Sequence, residues 1–341
     1  MKQKNITFSD IAKYTGFSKT TISRYFNNPD SLTLENQEKI AHALDILGYQ
    51  ENKLAKVLAN GKSEFVGIII PNLYLHYYSE MLNQLLSTYE KYNYKFLVFI
   101  GNNKKEIEEK YIHELMAYKI EGLIVLSNTI SSEELASYKL PVVTIERECD
   151  HVCSVSTDNY LGGVQATSLL IRNKCDVILH INSIFPDTLP TYGRIRGFED
   201  ICNEHHVVHE LIQRNLGNTY QETLTQLKNI FNEIEEKYPS QKKGVFLAND
   251  TYASMFLNLI FQKYGKLPKD YQIVGFDDSP IASEAILPIT TVGQQIEKIA
   301  QTAMELLVLQ MNEMKKRKPA PLKEPVHKQI TPVLIRRNTT D

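Results

Sequence analysis

The segment Asp10-Ile11-Ala12, Thr15-Gly16-Phe17-Ser18, Thr21-Ile22-Ser23-Arg24 and Phe26-Asn27 sets residues able to read nucleic acid on one short helix. Ser18 can cap that helix, because its hydroxyl accepts from a backbone amide left free in the first turn. Lys19, Thr20 and Arg24 then share its exposed side within about one and a half turns. Arg pairs bidentately with guanine and Thr touches a thymine methyl, so this face suits base edges in a major groove. Other constellations carry less. His205-His206-x-x-His209 has a metal-like spacing without a ligand frame around it and reads as a solvated helix end. Cys149-x-His151-x-Cys153 lacks a second ligand pair. Gly162-Gly163 is not a G-x-G-x-x-G fingerprint, and no P-loop, G-x-S-x-G or H-E-x-x-H occurs. No catalytic residue, metal or cofactor is therefore expected, and the chain does not read as an enzyme.

The elements that must hold this face follow from caps and periodicity. Thr7 with Asp10 forms a capping box opening a helix with Ile11, Ala12 and Tyr14 on its inner side. Gly16 breaks it, and the second helix carries Ile22, Tyr25 and Phe26. After the turn cluster Asn27–Asp30, Thr33 caps a third helix with Ile40, Ala43, Leu44 and Leu47 inward, ended by Gly48. Two helices parted by a Gly-containing turn are the sequence form of a helix-turn-helix. Residues 52–60 read as a short, marginal helix.

From Phe65 the rhythm changes. Apolar runs FVGIII, FLVFI, LIVL, VVTI, DVILHI, GVFLA and YQIVGF alternate with amphipathic stretches at 78–92, 104–118, 131–138, 191–205, 219–237 and 250–264. Such runs predict parallel sheets covered on both faces. A long helix over 294–317 and a last strand Gln329–Ile335 complete this body, which is too large for one comfortable core. Two lobes are expected, with the break near Val155–Gly163. Apolar residues are 43% and charged residues 23% of the 341, so neither a fibre nor a disordered chain is indicated. Residues 1–62 hold nine Lys and Arg against six Asp and Glu, and the remainder 29 against 34. A basic head on an acidic body points the head at a polyanion. The longest apolar runs are about seven residues, far short of the roughly 18 of a membrane span. With no apolar leader and only Cys149, Cys153, Cys175 and Cys202, the expectation is a cytoplasmic protein with reduced thiols and no membrane partner.

The N-terminal pattern resembles the helix-turn-helix of the lactose/galactose repressor (LacI/GalR) family, and the resemblance extends through nearly the whole chain. Its anchors in the body are Gly67–Pro71, Asp158-Asn159, Arg194 with Gly197-Phe198, Ala248-Asn249-Asp250, Val274–Asp278 and Pro288–Val292 with Gln294. The resemblance implies an all-α helix-turn-helix head on a two-lobed, periplasmic-binding-protein-like α/β core with parallel sheets. The head would span 1–50, a hinge helix and linker 51–62, and the effector-binding and dimerisation core 63–341. Lobe 1 would take about 63–158 and 293–320, lobe 2 about 159–290 and 321–341. DNA contacts would come from Thr7, Phe8, Ser18, Lys19, Thr20, Thr21, Ser23, Arg24, Asn27 and Tyr49 in the head. Asn52, Lys53, Ala55, Lys56 and Leu58 would add to them from the hinge, Leu58 as a minor-groove wedge. Effector contacts would come from Arg194, Asn249, Asp277 and Gln294, with Leu75, Tyr77, Tyr78 and Glu146 from the first lobe. Asp, Arg, Asn and Gln suit a polyhydroxylated ligand, and a tyrosine ring can cover a sugar's apolar face. Two features depart from a typical sugar-responsive member: the segment Asn182–Tyr192 and the glutamate at 146. The implied function is sequence-specific repression of a carbohydrate-utilisation operon at a near-palindromic operator, by a homodimer that a sugar-like effector releases. No leucine heptads follow the last strand, so a dimer is expected rather than a tetramer. The alternatives are a corepressor-dependent regulator or an activator and, in another class, a solute-binding receptor.

Overall fold

A computed structural model describes residues 6–49, 63–147, 150–318 and 324–341, which fall into two compact units divided after Lys62. The first unit holds three helices, α1 (Phe8–Thr15), α2 (Lys19–Asn27) and α3 (Leu34–Leu47). Thr7 and Asp10 close the capping box, and Ser18 and Thr33 accept from the amides of Thr21 and Asn36. Gly16 and Gly48 end their helices at φ of 77° and 60°, left-handed values that glycine adopts without strain. Ile11, Ile22, Ile40 and Ala43 meet as a fully buried core. Tyr14, expected on the inner side, is 52% exposed. The short first helix turns one residue, Ile11, fully inward, and Tyr14 lies beyond the edge of that contact.

The second unit contains two parallel-stranded lobes. The first sheet uses β1 (Phe65–Ile70), β2 (Lys95–Ile100), β3 (Gly122–Val125), β4 (Val142–Ile145) and β5 (Cys153–Thr157). The second uses β6 (Val177–Ser183), β7 (Val208–Arg214), β8 (Lys243–Leu247), β9 (Tyr271–Asp277) and β10 (Thr290–Gly293). Helices Asn159–Arg172, Gly193–Glu204, Tyr220–Lys237 and Asp250–Tyr264 connect the second set. The long helix Ile296–Met314 returns to the first lobe, where Ile299, Ala300, Ala303, Met304 and Leu307 join a core with Val66, Ile68, Ile124 and Val143.

The tail corrects one expectation. Gln329–Ile335 is not one strand, and residues 321–341 do not all belong to lobe 2. His327–Ile330 pairs parallel with β5 in the first sheet, while Val333–Ile335 pairs antiparallel with β10 in the second. Pro332 separates them, because it has no N–H for a sheet ladder and its ring fixes φ. The chain therefore passes between lobes at Asp158, at Gln294-Gln295 and at Thr331-Pro332. Hydrogen bonds tie these passages together: Thr157 Oγ1 donates to Gln294 Oε1 at 2.7 Å, Asp158 N to Ile330 O at 2.9 Å, and Gln295 Nε2 to Thr331 O.

Candidate functional site

In the head, Lys19, Thr20 and Arg24 stand exposed on α2. Several other residues expected at DNA are committed to the fold. Thr7 and Ser18 are caps, and Thr21 Oγ1 bonds Ser18 Oγ at 2.9 Å. Asn27 Nδ2 donates to the carbonyl and hydroxyl oxygens of Ser23 at 3.0 and 3.1 Å. Phe8 stacks on Phe26 with centroids 5.1 Å apart, and Tyr49 leans on both rings. The head thus presents a compact polar face on an aromatic and aliphatic base. Asn52, Lys53, Ala55, Lys56 and Leu58 lie outside the described residues.

In the body, Leu75, Tyr77, Tyr78, Glu146, Arg194, Asn249, Asp277 and Gln294 line a single cavity of about 190 Å³ between the lobes. Topology brings them together. Asp277 ends β9, while Glu146, Asn249 and Gln294 follow β4, β8 and β10 by one or two residues. The carboxyl ends of parallel strands are where open α/β sheets gather ligand groups. Asp277 and Glu146 sit at φ of 113° and 55°, conformations that residues with a side chain rarely adopt and that cluster at functional sites.

The polar groups form a connected set. Arg194 Nε donates to Asn159 Oδ1 and Nη1 to Ala248 O, both at 2.7 Å, while its guanidinium lies 3.6 Å from the centre of the Phe276 ring. Asn159 Nδ2 donates to Glu146 Oε2 at 2.8 Å, and Glu146 Oε1 accepts from Thr157 N. Gln294 Nε2 donates to Asp277 Oδ1 at 2.5 Å. Asn249 caps the helix Asp250–Tyr264 by accepting from Tyr252 N at 2.8 Å. Beneath Asp277 lies Asp250, fully buried, accepting from Ser279 N, Ser279 Oγ and Thr291 Oγ1.

Burial, more than the hydrogen bonds can offset, pushes the Asp250 carboxyl up to about 7. Burial and then the neighbouring Asp250 hold Asp277 well above the usual carboxylate range, with Arg194 and Gln294 pulling the other way. Burial likewise raises the Tyr77 hydroxyl. That hydroxyl has no hydrogen-bond partner among the described residues although it is shut away from water. Such an unpaired buried group costs about 1–3 kcal/mol unless something occupying the cavity completes it.

Several lining residues were not anticipated: Leu126, Asn128, Asn182, Ser183, Phe185, Leu189, Thr191, Ala248 and Tyr252. Asn182 is set by a buried histidine. Burial drives the His180 imidazole down to about 3, so it is neutral. The hydrogen-bond network assigns the Nδ1 proton to Phe246 O at 3.0 Å, leaving Nε2 to accept from Asn182 Nδ2 at 3.2 Å. Among the described residues, no group of three or more His, Cys, Asp and Glu is placed to hold a metal ion, and no helix is long and apolar enough to cross a membrane.

Comparisons with known proteins agree with this build. The periplasmic binding protein-like domain matches residues 168–340, half of the chain, and the lacI family of bacterial regulatory proteins matches residues 7–52. The sucrose operon repressor of Streptococcus mutans is 27% identical over 304 residues, covering 88% of this chain and 91% of its own. The lac repressor dimer bound to operator and the anti-inducer ONPF has the same fold, with a TM-score of 0.81 at 21% identity over 99% of both chains. The periplasmic binding protein/LacI transcriptional regulator of Alkaliphilus metalliredigens complexed with D-xylulofuranose gives a TM-score of 0.69 at 26% identity, over 82% of this chain and all of that one. With a helix-turn-helix head, a two-lobed core and both family matches in place, the chain belongs to the lacI family of bacterial regulatory proteins, which are DNA-binding transcriptional regulators and not enzymes.

Proposed function

We propose that this regulator is a cytoplasmic homodimeric repressor of a carbohydrate-utilisation operon, released from a near-palindromic operator when one sugar ring enters the cavity between its lobes. The observation that carries this reading is a cavity ringed by donors and acceptors from both lobes, with Asp277, Asn249, Arg194 and Gln294 converging on it. A ligand's hydroxyls would meet Asp277, Asn249 and Arg194 in the cavity wall. The volume of about 190 Å³ is a little above the roughly 150 Å³ of a cavity that takes one benzene ring, which suits one ring better than two. A relative that represses a sucrose operon and a structural neighbour holding D-xylulofuranose support the same chemistry. Lys19, Thr20 and Arg24 read base edges in this account. Residues 51–62, with Leu58 as the wedge, relay the state of the lobes to the head, a role that rests on the family resemblance.

Thermal unfolding of the full chain with D-ribose, D-fructose, D-xylulose and sucrose tests the reading. A ligand that binds the native state raises the midpoint, by about 2.7 kcal/mol of stability at a hundredfold excess over Kd. The expected result is a rise with at least one single-ring sugar, and release by that sugar of a DNA fragment the protein selects from a random pool. No rise with any sugar, together with unchanged DNA occupancy, overturns it.

A further inference from the structure

The cavity's charge layout and one turn at its rim narrow the ligand further, on the reading that this cavity is the effector site. Among the residues lining it the one cation is Arg194, whose Nε and Nη1 are already held by Asn159 and Ala248 and whose plane rests on Phe276. Two carboxyl groups, Glu146 and Asp277, line the same space, with Asp250 buried beneath. A helix N-terminus is the usual alternative seat for an anion. Among the described residues three helices begin at this cavity, and their first amides are already engaged. In Asp250–Tyr264, Asn249 Oδ1 takes the Tyr252 amide and Asp250 sits in the first turn. In His76–Ser87, Thr251 Oγ1 takes the His76 amide and Leu75 O that of Tyr78, both at 3.0 Å. In Gly193–Glu204 the Gly193 amide is held by Pro190 O and Thr191 O.

The rim segment 184–192 adds no cation. Leu189 N donates to Pro186 O at 3.2 Å and Tyr192 N to Leu189 O at 2.9 Å, so the segment is a closed turn followed by the 3-10 turn Pro190–Tyr192. Pro186 and Pro190 restrict its backbone, and Phe185 meets the Tyr192 ring edge-on with centroids 6.2 Å apart. What it offers the cavity is Phe185, Leu189 and Thr191, while Asp187, its one charged residue, is not in the lining. A phosphate group brings a charge of about −1.5 to −2. Here it would face the Glu146 carboxyl group, already held by Thr157 and Asn159, an apolar wall and one guanidinium with two donors already engaged.

We infer that the Phe185–Leu189 turn and a lining whose one cation is already engaged make this cavity selective for an uncharged sugar ring that turns an apolar face to the turn, and closed to the phosphorylated form of the same sugar.

Isothermal titration of the full chain with D-ribose, D-xylulose and D-fructose, each beside its terminal phosphate ester, tests this. The expected result is that the sugar that binds does so at least about 100-fold more tightly than its ester, since a mispaired charge costs several kcal/mol. Phe185→Ala is expected to weaken the neutral sugar about tenfold through the lost ring contact, and Leu189→Lys to narrow the gap between sugar and ester at least about tenfold. Equal or tighter binding of an ester overturns the selectivity and leaves the sugar-effector reading standing. Binding of neither sugar nor ester overturns both. Discrimination that survives unchanged in both variants removes the turn from the account.

Discussion

On the proposed function, Arg194 would serve the fold and the ligand together. Its side chain joins Asn159, at the first passage between lobes, to the carbonyl of Ala248 at the end of β8. Removing it strips a buried charged donor, with each such hydrogen bond worth about 1.5–3 kcal/mol. Arg194→Ala is therefore expected to leave operator binding by the head intact while weakening the effector roughly 10- to 150-fold. Fluorescence anisotropy of labelled operator with and without sugar reads both, and loss of operator binding with effector titration preserved would contradict the assignment. Lysine is not expected to restore it, because an ammonium cannot reproduce the fork or lie flat on Phe276. Asp250 makes a separate statement about pH. Its folded carboxyl, pushed up to about 7 by burial, lies above the roughly 3.9 of an unfolded aspartate. The folded state then holds a proton that the unfolded state has released, so stability is fully present below pH 4 and is lost as pH rises through 7. Asp277 is shifted in the same direction and adds to the trend. Relative to Asp250→Asn, the wild-type protein should lose up to about 2–3 kcal/mol between pH 5 and 7. Thermal melts of the two proteins across that interval decide the matter, since parallel curves leave Asp250 without the assigned proton.

Pairs of helices position these residues, and two glycines set the spacing. A Cβ on Gly163 would stand 2.4 Å from Arg194 O, and one on Gly197 would stand 2.4 Å from Tyr160 O. The helices Asn159–Arg172 and Gly193–Glu204 therefore cross backbone against backbone, which is what brings Asn159 within reach of Arg194. Gly197→Ala must part them, at a cost of about 1–3 kcal/mol typical of overpacking. Both a lower melting midpoint and weaker sugar binding are expected, and a variant that melts lower but titrates normally would show that the crossing does not set Arg194. The role of this glycine pair was not legible, since a close helix crossing leaves no local signal in a sequence. Caps and strands were legible because their causes are local: Thr7, Ser18 and Thr33 accept the amides their spacing offers. The cavity residues at strand ends were reachable from the family pattern and from the rule that ligands gather there. Phe185 and Leu189 were not, because a turn's side chains point where tertiary packing sends them; the only sign was a segment unlike its family. The division of the tail between two sheets also escaped periodicity, although Pro332 marked the break.

At the scale of the whole molecule, the cavity and the passages between lobes share residues. Gln294 lies in the second passage and bonds both Thr157, beside the first, and Asp277 in the cavity wall. Glu146 grips Thr157 and Asn159 from the first lobe while lining the same cavity. A solute that fills this space necessarily touches the groups that fix how one lobe meets the other, so it must favour one lobe arrangement over another if its contacts differ between them. In the proposed repressor that preference is felt at the operator. Coupling of this kind is typically 1–3 kcal/mol, a change of about 5- to 150-fold in affinity, and it is reciprocal. If the sugar weakens operator binding by a given factor, saturating operator must weaken sugar binding by the same factor. Titrating sugar by calorimetry with and without operator, beside operator with and without sugar, yields two ratios that should agree. Two ratios of unity would reduce the core to a solute receptor that does not address the head, whereas an operator strengthened by sugar would keep the linkage and reverse the sign of the regulation.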